Sequence, residues 1–399
     1  MFKISINKTT KLDDLDVLYK SLYDHISQGL TVDLLLPTEL KSSYIGIVPA
    51  LYQFVFTWMR YEKSGKFLLD ISDPDNVDFD ELYENELIFP LVSLAWNKNE
   101  IYNNTGKLNL RSYLKDFNVR YFDKMKAVEA QKNWKLILTN FDHLPEERGN
   151  LPCFEKNGVF TANETALANS LRNGINQVLS YSWGTKKSYK EIEPQVVGII
   201  YELMKNTFEW GNKDENNVPL DPSLRGFLIK FYRKRRNKLI EDFKDHKGLV
   251  EYFKNPALKE VVNTEIYFLE IDVFDSGVGF VKKYKSLHKS ENLSSIETIK
   301  KCLIKHSTSA KGLEKDDKGL GLDRILNTIN GKGFLRIKTG NMCVYRDLIN
   351  HPYEELRVND IDKMKLIDWK TGNDSNYTEY PNAEGSVITI IYPLTKTWE

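Results

Sequence analysis

The chain predicts an α/β fold, an α+β sandwich in two units, with a smaller N-terminal unit over 1–150 and a larger one over 151–399. Three observations predict it. The first third alternates short strand-like and helix-like runs. The remainder carries strands that end in glycine motifs. Between them, 142–152 (Asp-His-Leu-Pro-Glu-Glu-Arg-Gly-Asn-Leu-Pro) breaks every periodic pattern, which places the boundary in 142–165.

In the N-terminal unit, residues 2–6 read as a strand and 12–28 as a helix. Residues 31–36 form the next strand, closed by Pro37. Residues 45–59 are so apolar that they predict a buried helix, with Pro49 in its early turns where a missing N–H costs little. Strands at 66–71 and 134–139 follow. No catalytic constellation occurs here, so a regulatory or partner-binding role is expected.

The larger unit opens with a helix. Pro194 suits a first turn, Val196, Ile199, Ile200, Leu203 and Thr207 recur at helical spacing, and Gly211 stops the run. Glu202 and Asn206 are four apart and therefore share a side. Such a pair can hold a divalent ion through the amide oxygen while the carboxylate orients or deprotonates a water. Next, Tyr267, Leu269, Ile271 and Val273 alternate with Phe268, Glu270, Asp272 and Phe274, as in a strand. Asp275 closes it before Gly277 and Gly279. A carboxylate there can accept a hydrogen bond from an exocyclic amine, and the glycines let backbone approach a base.

A third motif, Lys318-Gly319-Leu320-Gly321-Leu322, opens a helix carrying Ile325, Leu326 and Ile329, stopped by Asn330-Gly331. Glycine-rich backbone entering a helix N-terminus favours phosphate. No Gly-x-x-x-x-Gly-Lys-Ser/Thr loop occurs, and the glycines do not follow the first strand of a βαβ unit. A strand at 334–339 comes next. Between the glycine motifs, 281–318 reads as a lid. It holds a capping box at Ser294 and Glu297, a short amphipathic helix, and a polar stretch with His306, Lys311 and Lys318, the lysines being candidate phosphate contacts.

Taken in order, the three motifs resemble the N, G1 and G2 boxes of the GHKL (Bergerat-fold) ATPases, whose members include gyrase B, class-related chaperones, histidine kinases and MutL. The resemblance extends to Gly385 through Pro393, similar to the closing Gly-Thr strand of that family, and covers roughly 155–396. It implies a mixed sheet with helices on one face, and ATP and Mg²⁺ as cofactors. It also implies Glu202 as general base, Asn206 as Mg²⁺ ligand and Asp275 on adenine N6. Gly277 and Gly279 would shape the adenine pocket, while Gly319, Leu320, Gly321 and Leu322 would wrap the phosphates. Ser386 stands where the family more often has Thr. The N-terminal unit resembles STAS-like domains.

Two departures from the family accompany this resemblance. Asn206 and Asp275 are farther apart than in compact kinases, implying a basic insertion around 212–262. Its run Phe231-Tyr-Arg-Lys-Arg-Arg-Asn-Lys238 is open to a nucleic-acid patch, but an amphipathic helix with a solvated face is favoured. Upstream of the first motif, neither His25 nor His143 lies in a phospho-acceptor helix pattern, which argues against an autophosphorylating kinase.

Lys and Arg balance Asp and Glu at 56 each, so the whole chain is no polycation. Three scattered cysteines predict a reducing compartment, and the lack of an apolar run of spanning length predicts a cytoplasmic protein off the membrane. The expected activity is ATP hydrolysis whose lid state controls a protein partner or a second copy. A kinase of anti-sigma or sensor type, an ATP sensor without turnover, and a MORC- or MutL-like nucleic-acid clamp are the alternatives.

Overall fold

A computed structural model of the chain describes residues 2–41, 44–62, 64–132, 134–179, 183–261, 264–289, 291–304 and 321–394. The chain begins with β1 (Phe2–Ser5), α1 (Asp14–Ser27), β2 (Val32–Leu36), α2 (Ile47–Tyr61) and β3 (Phe67–Leu69). After α3 (Phe79–Tyr83), α4 (Ile88–Ala95) and β4 (Ile101–Tyr102), strands β1 to β4 form one parallel sheet in sequence order. The predicted strand–helix alternation is thus present.

Helix α5 (Arg111–Lys126) leads to β5 (Lys135–Asn140), which does not join that sheet. It is an edge strand of a second, seven-stranded sheet. Next come α6 (Glu146–Gly149), the small hairpin β6 (Glu155–Lys156) and β7 (Val159–Phe160), α7 (Glu164–Val178) and α8 (Trp183–Trp210). Then follow β8 (Arg225–Arg235), α9 (Arg236–Asp242), α10 (Lys247–Lys254), β9 (Glu265–Asp275), α11 (Phe280–Leu287) and α12 (Ser295–Cys302). The chain continues with α13 (Gly321–Thr328), β10 (Phe334–Thr339), β11 (Met342–Asp347), β12 (Ile367–Asp368) and β13 (Ser386–Pro393).

The second sheet runs β12-β11-β10-β13-β9-β8-β5. A mixed sheet was the expectation; every pair in it is antiparallel. The parallel pairs are confined to the N-terminal sheet, where crossover helices supply the long returns that parallel pairing needs.

Two local readings change. Pro194 lies inside α8, not in its first turn, because the helix starts at Trp183. Those extra turns carry Lys186, Lys187, Lys190 and Glu191, so a search for apolar periodicity does not register them. Residues 225–235, read as part of an amphipathic helix, are a strand flanked by β9 and β5. Its apolar run at Phe227, Leu228 and Ile229 fits a strand buried on both faces, which shows no alternation. Residues 212–262 therefore supply an interior strand as well as α9 and α10.

Both faces of the second sheet are covered. Helices α7 and α8 lie on β5, β8 and β9, with α13 against α8. Against the other face lies α2, of which Ile47 to Met59 are all buried. On one side Trp58 Nε1 donates to Val32 O (2.8 Å) of the parallel sheet. On the other, Tyr52 meets Phe274 edge-on at 4.9 Å, and Gln53 Nε2 donates to Gly385 O (3.2 Å). Burying side chains of this kind contributes about 1.5–3 kcal/mol each. A helix apolar on all sides is stable only when enclosed.

Candidate functional site

Strand register builds the first half of the site. Thr339 pairs with Ser386, Ser386 with Asp275, and Asp275 with Arg225, one row across β10, β13, β9 and β8. Directly opposed residues share a face, here the face under α8. Thr339 Oγ1 and Ser386 Oγ are 3.2 Å apart, and Thr339 Oγ1 also accepts from Phe280 N (2.9 Å).

Asp275 is buried, and Oδ1 accepts from Gly277 N at 2.8 Å. Burial pushes its carboxyl up to about 7, against the opposing pull of the Gly277 and Ser386 N–H groups and of Arg225. Gly211, just past α8, closes over it. A Cβ at Gly211 would stand 2.6 Å from Asp275 Cβ, and one at Gly277 would stand 2.8 Å from Asp275 Oδ1. Both positions need glycine for close approach. Gly279, at φ +80°, precedes α11.

The second half lies farther up α8. Glu202 Oε1 accepts from Arg324 Nη1 at 2.9 Å. Arg324 also grips Glu164 through both Nη atoms, at 2.5 and 2.8 Å. Gly321, the first residue of α13, abuts the same carboxylate: a Cβ there would stand 2.7 Å from Glu202 Oε2. Leu322 follows it, half-buried. Asn206 is half-buried one turn beyond Glu202 on the same side of α8. Gly211 lies nine residues from Glu202, roughly 13 Å along the helix. The structure therefore brings Asp275, Gly277, Gly279 and Ser386 together at one end, and Glu202 and Gly321 together at the other. Lys311, Lys318, Gly319, Leu320 and His306 lie outside the described residues. Of the lid, α11 and α12 are described, and the capping box of Ser294 and Glu297 is formed.

Several site neighbours were missed by sequence reasoning. Arg324 belongs to no motif, and only its place one turn after Gly321 hinted at it. Lys283 Nζ donates to Asp214 O (2.9 Å) and Asn217 Oδ1 (2.7 Å), pinning the loop after α8 onto α11. Burial holds that ammonium below the usual lysine range. Arg225 is fully buried and ion-paired with Asp142 and Glu155, each at 2.6 Å. Most of the neighbouring cations are also engaged. Lys230 pairs with Glu86 (2.8 Å), Arg233 with Glu265 (2.7 Å), Lys234 with Asp242 (3.3 Å) and Arg236 with Glu260 (2.5 Å).

Among the described residues, no cluster of three or more His, Cys, Asp or Glu could hold a metal ion. An amide beside a carboxylate still fits Mg²⁺, which takes one or two protein groups and leaves the rest to phosphates and water. No helix of the described residues is long and apolar enough to cross a membrane. Compared with protein-family models, curated proteins and solved structures, the chain finds no match.

Proposed function

We propose that the chain binds Mg·ATP between α8 and the end of the seven-stranded sheet, and that it hydrolyses ATP only when Arg324 lets Glu202 go. One observation carries this reading. A buried carboxyl, Asp275, is walled by glycines at one end of α8, and a helix-opening glycine meets Glu202 farther along it. The separation suits an extended nucleotide, base at Asp275 and phosphates at α13.

Each residue then has a task. Asp275 accepts a further hydrogen bond, from the exocyclic amine of adenine, beside the one it takes from Gly277 N. Gly211 and Gly277 pack directly against that carboxyl and fix its position. Ser386 and Thr339 offer hydroxyls beside it. The α13 N-terminus attracts phosphate through unpaired N–H groups. Asn206 would hold Mg²⁺, which would draw charge from the phosphates. Glu202 orients and deprotonates the attacking water.

The ion pair of Glu202 with Arg324 favours a second reading, an ATP sensor whose base is held inactive. The guanidinium occupies Oε1, the oxygen that would otherwise meet the attacking water. In both readings the output is contact with another protein or a second copy, controlled by ATP.

The deciding experiment follows γ-labelled ATP with and without the native neighbours of the protein. Free phosphate supports hydrolysis, labelled partner supports a kinase, and binding without release supports the sensor. Asn206→Ala should lose the Mg²⁺-dependent part of ATP affinity with the fold intact. Equal affinity in the presence of Mg²⁺ would remove Asn206 from the site.

A further inference from the structure

The opposite face of the same sheet holds a second polar cleft. Arg336 and Lys338 are two apart on β10, so both point away from the Thr339 face. With α1 and α2 they line a small polar cleft whose walls also carry Asp16, Tyr19, Trp369 and Tyr380.

Arg336 is only 6 % exposed, and its guanidinium stacks on Trp369, 4.8 Å from the ring centre. Its Nε and Nη1 have no hydrogen-bond partner, and among the described residues no carboxylate pairs with it. Three further buried donors lining the same cleft are also unpartnered: Tyr19 Oη, Trp369 Nε1 and Tyr380 Oη. Water can satisfy hydroxyls, but it leaves the buried charge uncompensated, which is unfavourable. A guanidinium fork ringed by idle donors matches an oxyanion.

Charge at the mouth narrows the choice. Asp13 is exposed there and Asp16 is half-buried. They disfavour a dianionic phosphate more than a single carboxylate. The small size of the cleft and its aromatic walls restrict the ligand to a short organic acid.

We propose that this cleft binds a small monocarboxylate, held by Arg336 with Tyr380 and Trp369 as flanking donors. Lys338 adds to the attraction: Nζ donates to Gly340 O (3.0 Å), and burial brings its ammonium down to about 8. The site is separate from the ATP reading and does not depend on it. It lies against α2, so its occupancy sits close to the N-terminal layer.

The test titrates acetate and inorganic phosphate into the full chain at constant ionic strength, read by thermal unfolding and tryptophan fluorescence. Acetate should give a saturable rise in Tm and a saturable change in fluorescence, and phosphate neither. Arg336→Met should abolish the acetate response, and Tyr380→Phe should weaken it about fivefold to tenfold. A phosphate response in place of the acetate one, no saturable response, or equal responses in wild type and Arg336→Met would each overturn the assignment. Should the methionine variant not fold, Tyr380→Phe decides alone, and unchanged acetate affinity there overturns it.

Discussion

The seven-stranded sheet buries arginines on both faces, and two of them, Arg225 and Arg336, are treated in opposite ways. Arg225, under α8, is clamped by Asp142 and Glu155 and rests 5.3 Å from the Phe208 ring centre. Arg336, under α2, has an aromatic ring for company and no acid within ion-pair reach among the described residues. A compensated buried charge serves the fold: Arg225 holds the 142–155 segment against the strand that carries the Asp275 row. An uncompensated one is a poor structural device, since an apolar side chain of similar size would be at least as stabilising. Position in the same sheet therefore says little about a cation's role; the company it keeps says more.

The largest expected effect lies on the α8 face and concerns rate. Glu202→Ala should bind ATP about as tightly as wild type yet turn it over roughly 10²- to 10⁴-fold more slowly. The acetate response of the Arg336 cleft should be unchanged in that variant. Wild-type turnover in Glu202→Ala would leave the α8 face without a base.

Next comes the direct comparison of the arginines. Arg225→Met leaves the buried Glu155 and the half-buried Asp142 facing no cation and should cost about 3–5 kcal/mol of stability. Arg336→Met should be neutral or stabilising in anion-free buffer. Chemical denaturation of both variants reads the contrast, and equal losses would erase the distinction between the faces.

A smaller effect follows pH. The Asp275 carboxyl is raised from 3.8 to about 7 in the folded chain, so the folded state binds its proton more tightly than the unfolded one. Its contribution to stability is present in full below about pH 4 and is lost as pH rises towards 7, a change of about 4 kcal/mol. ATP affinity should run the other way, weakening up to about tenfold per pH unit below 7, because the amine prefers the ionised carboxylate. Asp275→Asn should flatten both profiles and narrow the preference for adenine over guanine nucleotides. Calorimetry across pH 5–8 that finds parallel profiles in variant and wild type would take Asp275 out of the base pocket.

The smallest effect belongs to Arg324, whose pair with Glu202 is half-exposed. Contacts of this kind are worth about 1 kcal/mol or less. Arg324→Ala should raise turnover by roughly twofold to fivefold if the arginine restrains the base. A fall in turnover would instead assign Arg324 to the phosphates.

Much of this arrangement was legible in the sequence, and what was hidden has physical causes. The strands that alternate or end in glycine, β9, β10 and β13, were read directly, as were α1 and the enclosed α2. Their neighbours β8 and β5 misled in different ways. An interior strand has no polar face, so β8 shows the unbroken apolar run that a helix can also show. Strand β5 was recognised, but register is a long-range property, and nothing local to 135–140 says which sheet it will join. In the site, Asp275 and Glu202 were marked by motif spacing. Thr339, Arg324 and Lys283 were not, because each enters through a partner distant in sequence. The Arg336 cleft was invisible for the same reason: it exists only where α1, α2 and β10 meet.

The enclosure of α2 between two sheets bears on how the protein is made. Its apolar surface emerges from the ribosome early, yet Phe274 and Gly385, which cover it, are synthesised far later. At about 5–20 residues per second, α2 waits roughly 10–70 s for that cover, and β5 waits several seconds for β8. During that interval the nascent chain exposes a greasy helix and an unpaired strand edge. Holding factors that bind such surfaces should raise the yield of this protein more than that of one whose N-terminal layer closes on itself, and synonymous changes that slow synthesis between 140 and 390 should lower it.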